Sequence, residues 1–264
     1  MSYARMLSTV GLIRTSRRGG FCPACRLFQG GGAPQEIAAP AVIALAFLVV
    51  AVLAWGLTVA RMRSMDAMTT GFGAFGPFVV TWTVMMAAMM LPSATPLVFE
   101  FARTAEGRRG WRAATALLGA TYLGIWSAFG VACYALYNVL GMPWPHQALI
   151  GGGVLVLAGL YALTPIKRAS EAWCRELCAL HGPLPFNLMR SALVAGGRYG
   201  LSCLGCSAGL MLAMLLIGLS SLAWMIVLTA VILVYKLAPA PTPRWTIALS
   251  VALVALGIVY WIGA

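Results

Sequence analysis

The chain has 264 residues, 61% of them hydrophobic and 9% charged, with a formal net charge of +12 and a mean hydropathy of +0.90. A soluble domain carries about 25% charged residues, so this composition cannot cover a water-exposed surface. The apolar residues fall in long runs, which marks membrane spans and not a globular core. They also lack the alternation of a β-barrel.

The expected fold is therefore an all-α, polytopic bundle, because a helix pairs every backbone group within its own segment. Residues 1–36 form a predicted flexible, basic cytoplasmic extension. Its Ser16-Arg17-Arg18-Gly19-Gly20-Phe21 faintly resembles a twin-arginine signal, but no apolar core follows. Residues 37–264 form the transmembrane domain, with seven apolar segments in chain order. These are Ile37–Ala60, Phe75–Ala102, Ala113–Leu140, Gln147–Leu163, Tyr199–Ile217, Leu222–Leu237 and Trp245–Ile262. About 20 residues cross a hydrocarbon core, so the fourth and sixth segments are short spans.

The loops set the orientation. With the N-terminus inside, Arg5, Arg14, Arg17, Arg18 and Arg26 are cytoplasmic, as are Arg103, Arg108, Arg109 and Arg112. So are Lys167, Arg168, Arg175, Arg190, Arg198, Lys236 and Arg244, and only Arg61 and Arg63 fall outside. The positive-inside rule thus places the N-terminus in the cytoplasm, and the expected location is a bacterial inner membrane. The same distribution accounts for the +12 charge without nucleic acid.

Glu36, Asp66, Glu100, Glu106, Glu171 and Glu176 all lie in loops or at span ends. A proton- or ion-coupled carrier keeps a carboxylate or histidine near mid-membrane. His146 and His181 are both in loops, so that class is disfavoured. No phosphate-binding loop or metalloprotease histidine pair occurs, and no nucleophile–base arrangement stands out. The expectation is a protein that is not an enzyme.

Sulfur is what the spans contain instead, and the chain as a whole has seven cysteines and 14 methionines. Cys174 and Cys178, spaced by four, share a face if that stretch is helical, as do Cys203 and Cys206, spaced by three. The topology puts the first pair in a cytoplasmic loop and the second near the cytoplasmic end of the fifth span, so the pairs are expected to meet. Four thiolates suit Cu(I), Zn²⁺ or an iron–sulfur cluster. Simple packing and a redox role are the alternatives. A structural disulfide is disfavoured in the cytoplasm.

Met85, Met86, Met89 and Met90 precede Leu91-Pro92 in the second span, and Met211 and Met214 follow Cys206 in the fifth. Thioether is a ligand for Cu(I) and not for Zn²⁺, although methionine is also a common gap-filler. Pro92 and Pro96 are expected to kink the second span and release backbone carbonyls. Cys133 in the third span reads as a packed residue. Cys22-Pro23-Ala24-Cys25 reads as a metal-capture arm or an ordinary reduced tail.

These residues give the chain a resemblance to the bacterial predicted metal-binding integral membrane proteins, whose members are sometimes described as copper chaperones. The resemblance runs from Trp82 to Pro239. It rests on Trp82–Pro96, Gly124-Ile125-Trp126, Tyr161–Lys167, the Cys174/Cys178 pair, Gly200–Met211 and Trp224-Met225. It implies metal binding through those cysteines. The family pattern of glycine, two adjacent cysteines and tryptophan reads Gly205-Cys206-Ser207-Ala208 here. Ala162 replaces its glutamine and Tyr235 its glutamate.

The expected function is sequestration or delivery of a soft metal, Cu(I) before zinc, at the cytoplasmic face. Cys174, Cys178, Cys203 and Cys206 are the expected ligands, with Met89 and Met90 as auxiliaries. The partners implied are the lipid bilayer and a copper-handling protein or membrane subunit. The alternatives are a membrane scaffold, for which Gly151, Gly152 and Gly153 would allow close contacts, and a metal permease.

Overall fold

The computed structural model describes residues 38–64, 74–139, 147–165, 167, 169–170, 187–217, 225–227, 229–230, 232–233 and 243–262. Among them the secondary structure is helix and turn, without strand. Six helices appear in full: α1 (Ala38–Ser64), α2 (Phe75–Ala105), α3 (Trp111–Val139), α4 (Gln147–Ala162), α5 (Leu188–Ile217) and α6 (Pro243–Ile262). The expected 1–36 extension lies outside the described residues. So does most of the sixth apolar segment, whose described positions, 225–227, 229–230 and 232–233, are helical.

Three helices among the described residues are long and apolar enough to cross a membrane, over Ala39–Arg61, Phe75–Ala105 and Trp111–Val139. Gly151–Ala162 and Thr246–Val259 are shorter apolar stretches. Val42, Leu45, Val52 and Leu53 of α1 and Ile247, Val251 and Val259 of α6 turn outward. Such faces suit lipid and not water.

Helix ends follow local chemistry. The turn after α2 needs left-handed backbone at Gly107 and Gly110, both at φ 80°, where a Cβ would be strained. Arg108 N–H donates to Ala105 O at 3.1 Å and Trp111 N–H to Arg108 O at 3.2 Å, closing the turn into α3. At the start of α5, Asn187 Oδ1 accepts the Arg190 N–H at 3.0 Å, an N-cap that satisfies one otherwise orphaned donor. This helix begins at Leu188, well before the Tyr199 expected from hydropathy. Arg190, Ser191, Gly196, Gly197 and Arg198 depress hydropathy there, yet none of them stops a capped helix that packs on a neighbour.

The bundle is a path of neighbours. Helix α1 packs on α2, α2 on α3, α3 on α5, α5 on α4, and α4 on α6. Small residues let these helices approach. A Cβ at Gly196 of α5 would lie 2.5 Å from the Leu118 carbonyl oxygen of α3. A Cβ at Gly130 of α3 would collide with the Trp82 indole, which is fixed by donating Nε1–H to Trp126 O at 2.9 Å. Between α4 and α6, Gly152 and Gly257 are mutually close, and Ser250 Oγ donates to Gly159 O at 2.7 Å. Trp126 is fully buried, and its Nε1 has no hydrogen-bond partner. That omission costs about 1–3 kcal/mol, which the burial of so large a ring offsets.

The α3–α5 contact is set by backbone and cannot yield through a rotamer. Gly196→Ala is therefore expected to destabilise the protein by about 1–3 kcal/mol through overpacking. Gly124→Ala, where a Cβ meets nothing within 4 Å, should leave stability unchanged or slightly raised. Thermal unfolding of both variants in detergent checks the difference.

Candidate metal centre

The centre of the bundle is organised by α2. Its run Met85, Met86, Ala87, Ala88, Met89, Met90, Leu91 is buried throughout, and Pro92 and Pro96 lie inside the helix. Proline has no N–H, so Pro92 cannot bond the Ala88 carbonyl, and Pro96 cannot bond that of Pro92. Hydroxyl groups gather beside these breaks. Ser93 Oγ donates to Met90 O at 2.8 Å. Tyr122 of α3 reaches the same carbonyl at 3.5 Å, and Tyr199 of α5 donates to Ser93 O at 2.9 Å. The two tyrosine rings lie 5.5 Å apart, centroid to centroid.

Cys203 sits in this group. It is fully buried, and its Sγ lies 3.2 Å from the Tyr122 hydroxyl, in a hydrogen bond that either atom can donate. Tyr122 thus connects a cysteine of α5 with the methionine run of α2, at the carbonyl of Met90. One turn along α5, Cys206 is partly exposed. Its thiol donates to the Cys203 carbonyl at 3.2 Å and lies 3.5 Å from Ser207 Oγ.

A second set of contacts joins this part of α5 to the chain that follows α4. Tyr161 at the end of α4 donates its hydroxyl to Gly205 O at 2.7 Å. Ser202 Oγ donates to the Ser170 carbonyl at 2.8 Å. A Cβ at Gly205 would lie 2.9 Å from Ser170 Oγ, so glycine is what allows that approach. Tyr161 and Ser170 therefore lie against Ser202–Gly205, the stretch that holds Cys203 and leads to Cys206.

The expected site residues divide as follows. Cys203, Cys206, Met89 and Met90 are all in the described helices, with Cys203, Met89 and Met90 buried in one core with Met85, Met86 and Met211. Cys174 and Cys178 lie outside the described residues, as do Cys22 and Cys25. Met214 is on α5, with its side chain outside what is described. Cys133 is buried on α3, eleven positions past Tyr122, or about 16 Å along the helix. Among the described residues no group of three or more His, Cys, Asp or Glu side chains could hold a metal ion.

Sequence reasoning missed the tyrosines. Tyr122, Tyr161 and Tyr199 each place a hydroxyl in a bundle with little water, where it must find a partner. That requirement was the available signal, since a tyrosine amid an apolar run points to a carbonyl or sulfur across the interface.

Chemically, the assembly offers soft sulfur: two thiols on one helix, and thioethers on the helix that Tyr122 connects to it. The oxygen atoms nearby are hydroxyls and carbonyls already engaged with one another. Such a donor set favours Cu(I) over hard cations.

No curated protein and no solved structure matches this chain. A family model described as copper chaperone matches residues 79–260, which takes in nearly all of α2, all of α3 to α5, nearly all of α6, and every sulfur residue of the centre. The chain belongs to that copper chaperone family.

Proposed function

We propose that this protein binds Cu(I) in a membrane and holds it for sequestration or for transfer to a partner, without acting as an enzyme. Cys203 and Cys206 are two of the ligands, Cys174 and Cys178 supply the others, and Met89 and Met90 are auxiliaries. The observation that carries this reading is the contact of Ser170 with Ser202 and Gly205. Cys174 follows Ser170 by four residues, which span at most about 14 Å when fully extended. The covalent chain therefore keeps the first cysteine of one pair within reach of the other pair.

The reading includes a bacterial inner-membrane protein with seven crossings and its N-terminus in the cytoplasm. Helix α4 ends at Ala162, level with Gly205 through the Tyr161 bond. Helix α5 begins at Leu188, 17 residues earlier than Gly205, or about 26 Å along the helix axis. With the basic residues Arg198 and Lys167 near the inner boundary, Cys203 and Cys206 fall just inside it. The early turns of α5, with the ends of α2 and α3 that they accompany, project beyond. The turn between α2 and α3 carries Arg108 and Arg109 at that projecting end, as the positive-inside rule asks.

A scaffold role is less well supported. The glycines of α4 that would serve contacts with other subunits are used within the chain. Gly152 meets Gly257 and Trp261 of α6, and Gly153 faces Trp261.

Two measurements test the proposal. Cys203→Ser should lower Cu(I) affinity by more than about 100-fold, beyond the range seen for groups that only support a ligand, with membrane insertion intact. Copper analysis of the protein purified anaerobically reads this directly, and undiminished copper in the variant overturns the assignment. For topology, a periplasm-dependent reporter enzyme fused after Gly107 should be inactive, and a cytoplasmic fluorescent reporter at the same position should be bright. The reverse pattern inverts the orientation.

A further inference from the structure

We infer that Tyr122 is a positioning residue for the metal, its phenol O–H donating to the Cys203 sulfur when Cu(I) is bound. The inference rests on the Cu(I) reading of Cys203 above and adds a residue that the cysteine pattern does not contain.

Among the described residues the Tyr122 oxygen hydrogen-bonds with Cys203 Sγ at 3.2 Å and with Met90 O at 3.5 Å. A carbonyl only accepts, a thiol both donates and accepts weakly, and a phenol does both. In the metal-free protein the three therefore form a chain. The Cys203 thiol donates to the Tyr122 oxygen, and the Tyr122 O–H turns to the Met90 carbonyl.

Metal binding changes what the sulfur can do. As the Cu–S bond forms, the S–H bond breaks and its proton leaves to water. The sulfur now carries negative charge and has no hydrogen, so it only accepts. The Tyr122 O–H is the donor beside it, and a bond from a neutral donor to a charged acceptor is about twice as strong as one between neutral groups. The Tyr122–Cys203 hydrogen bond reverses, and the phenol gives up the Met90 carbonyl.

Three features make this reversal cheap. Tyr122 is fully buried, with its ring beside that of Tyr199, so only the hydroxyl hydrogen has to turn. The Met90 carbonyl that loses the phenol keeps the Ser93 hydroxyl at 2.8 Å, and no buried acceptor is left bare. The Ser93 carbonyl in turn is held by Tyr199 at 2.9 Å, which keeps Ser93 in place. The α2 backbone thus gives up one long hydrogen bond while the sulfur turns from donor to charged acceptor of the Tyr122 hydroxyl.

The test uses the full-length protein in nanodiscs, titrated anaerobically with Cu(I) against a competing Cu(I) chelator. Tyr122→Phe keeps the ring and removes the hydroxyl. Ser250→Ala removes a buried hydroxyl that bonds the Gly159 carbonyl between α4 and α6, outside this network, and serves as the control for structural effects. The expected result is that Tyr122→Phe binds Cu(I) about tenfold to 100-fold more weakly and shifts the sulfur-to-copper charge-transfer absorption. Ser250→Ala should lower the thermal midpoint of the metal-free protein while its absorption band matches wild type. Equal affinity and an unshifted band in Tyr122→Phe overturn the inference, as does an identical change in both variants. Wild-type protein that binds no Cu(I), or Cys203→Ser protein that keeps it, would instead refute the copper site itself, and the Tyr122 role would fall with it.

Discussion

The structure turns on a set of buried hydroxyls gathered around the proline-containing stretch of α2. Pro92 and Pro96 each remove a backbone donor from this buried helix. Beside them, the carbonyls of Met90 and Ser93 take up side-chain donors. Ser93 donates from within α2, Tyr122 from α3 and Tyr199 from α5. The same three hydroxyls hold α2, α3 and α5 in one register. Cys203 enters this arrangement through its contact with Tyr122, so the hydroxyls beside the α2 prolines and the candidate metal ligand are parts of a single network.

Helix association around that network relies on shape. In lipid, apolar side chains gain nothing by leaving solvent, and close packing with a few hydrogen bonds has to hold the helices together. Gly196 against Leu118, Gly130 against Trp82 and Gly152 against Gly257 are points of close approach. They recur along the path from α2 to α6 and leave few ways to slide one helix past another. The position of Cys203 relative to Tyr122 is accordingly fixed from both sides. Gly196 and Gly200 seat α5 on α3, while Tyr161 and Ser170 hold it from the α4 side.

Much of the helical pattern was legible in the sequence because long apolar runs admit few other solutions. The starts of α2 and α4 coincide with the expected ones, and the bounds of α1, α3 and α6 fall within a few residues. The start of α5 was not legible from hydropathy. Two arginines and two glycines lower the mean there, although Asn187 was present as a cap and the glycines serve contact with α3. For the candidate site, the cysteine and methionine positions were legible and the groups that orient them were not. Tyrosine in an apolar helix carries no spacing rule. Its partner is fixed by the neighbouring helix, and helix order is not written in local periodicity. The path in which α5 sits between α3 and α4 is what brings Tyr122 and Tyr161 to opposite sides of the same cysteine pair.

The departure at Ser207 acquires a physical meaning from the same geometry. The family pattern carries a second thiol immediately after the first, and this chain has serine there. Ser207 is buried, with its Oγ 3.5 Å from Cys206 Sγ. The position therefore lies inside the bundle beside a candidate ligand, where a thiol would have added a third soft donor on α5. A hydroxyl keeps a polar contact with Cys206 but is a poor ligand for Cu(I). With that donor absent, the thiols that α5 offers to the proposed site are Cys203 and Cys206. Further thiols have to come from another segment, and Ser170, which the structure holds against this stretch of α5, leads along the chain to Cys174. The serine at 207 thus makes the approach of Ser170 to Gly205, allowed by the absence of a Cβ at that glycine, more consequential for the proposed site than it would be with a third thiol on α5.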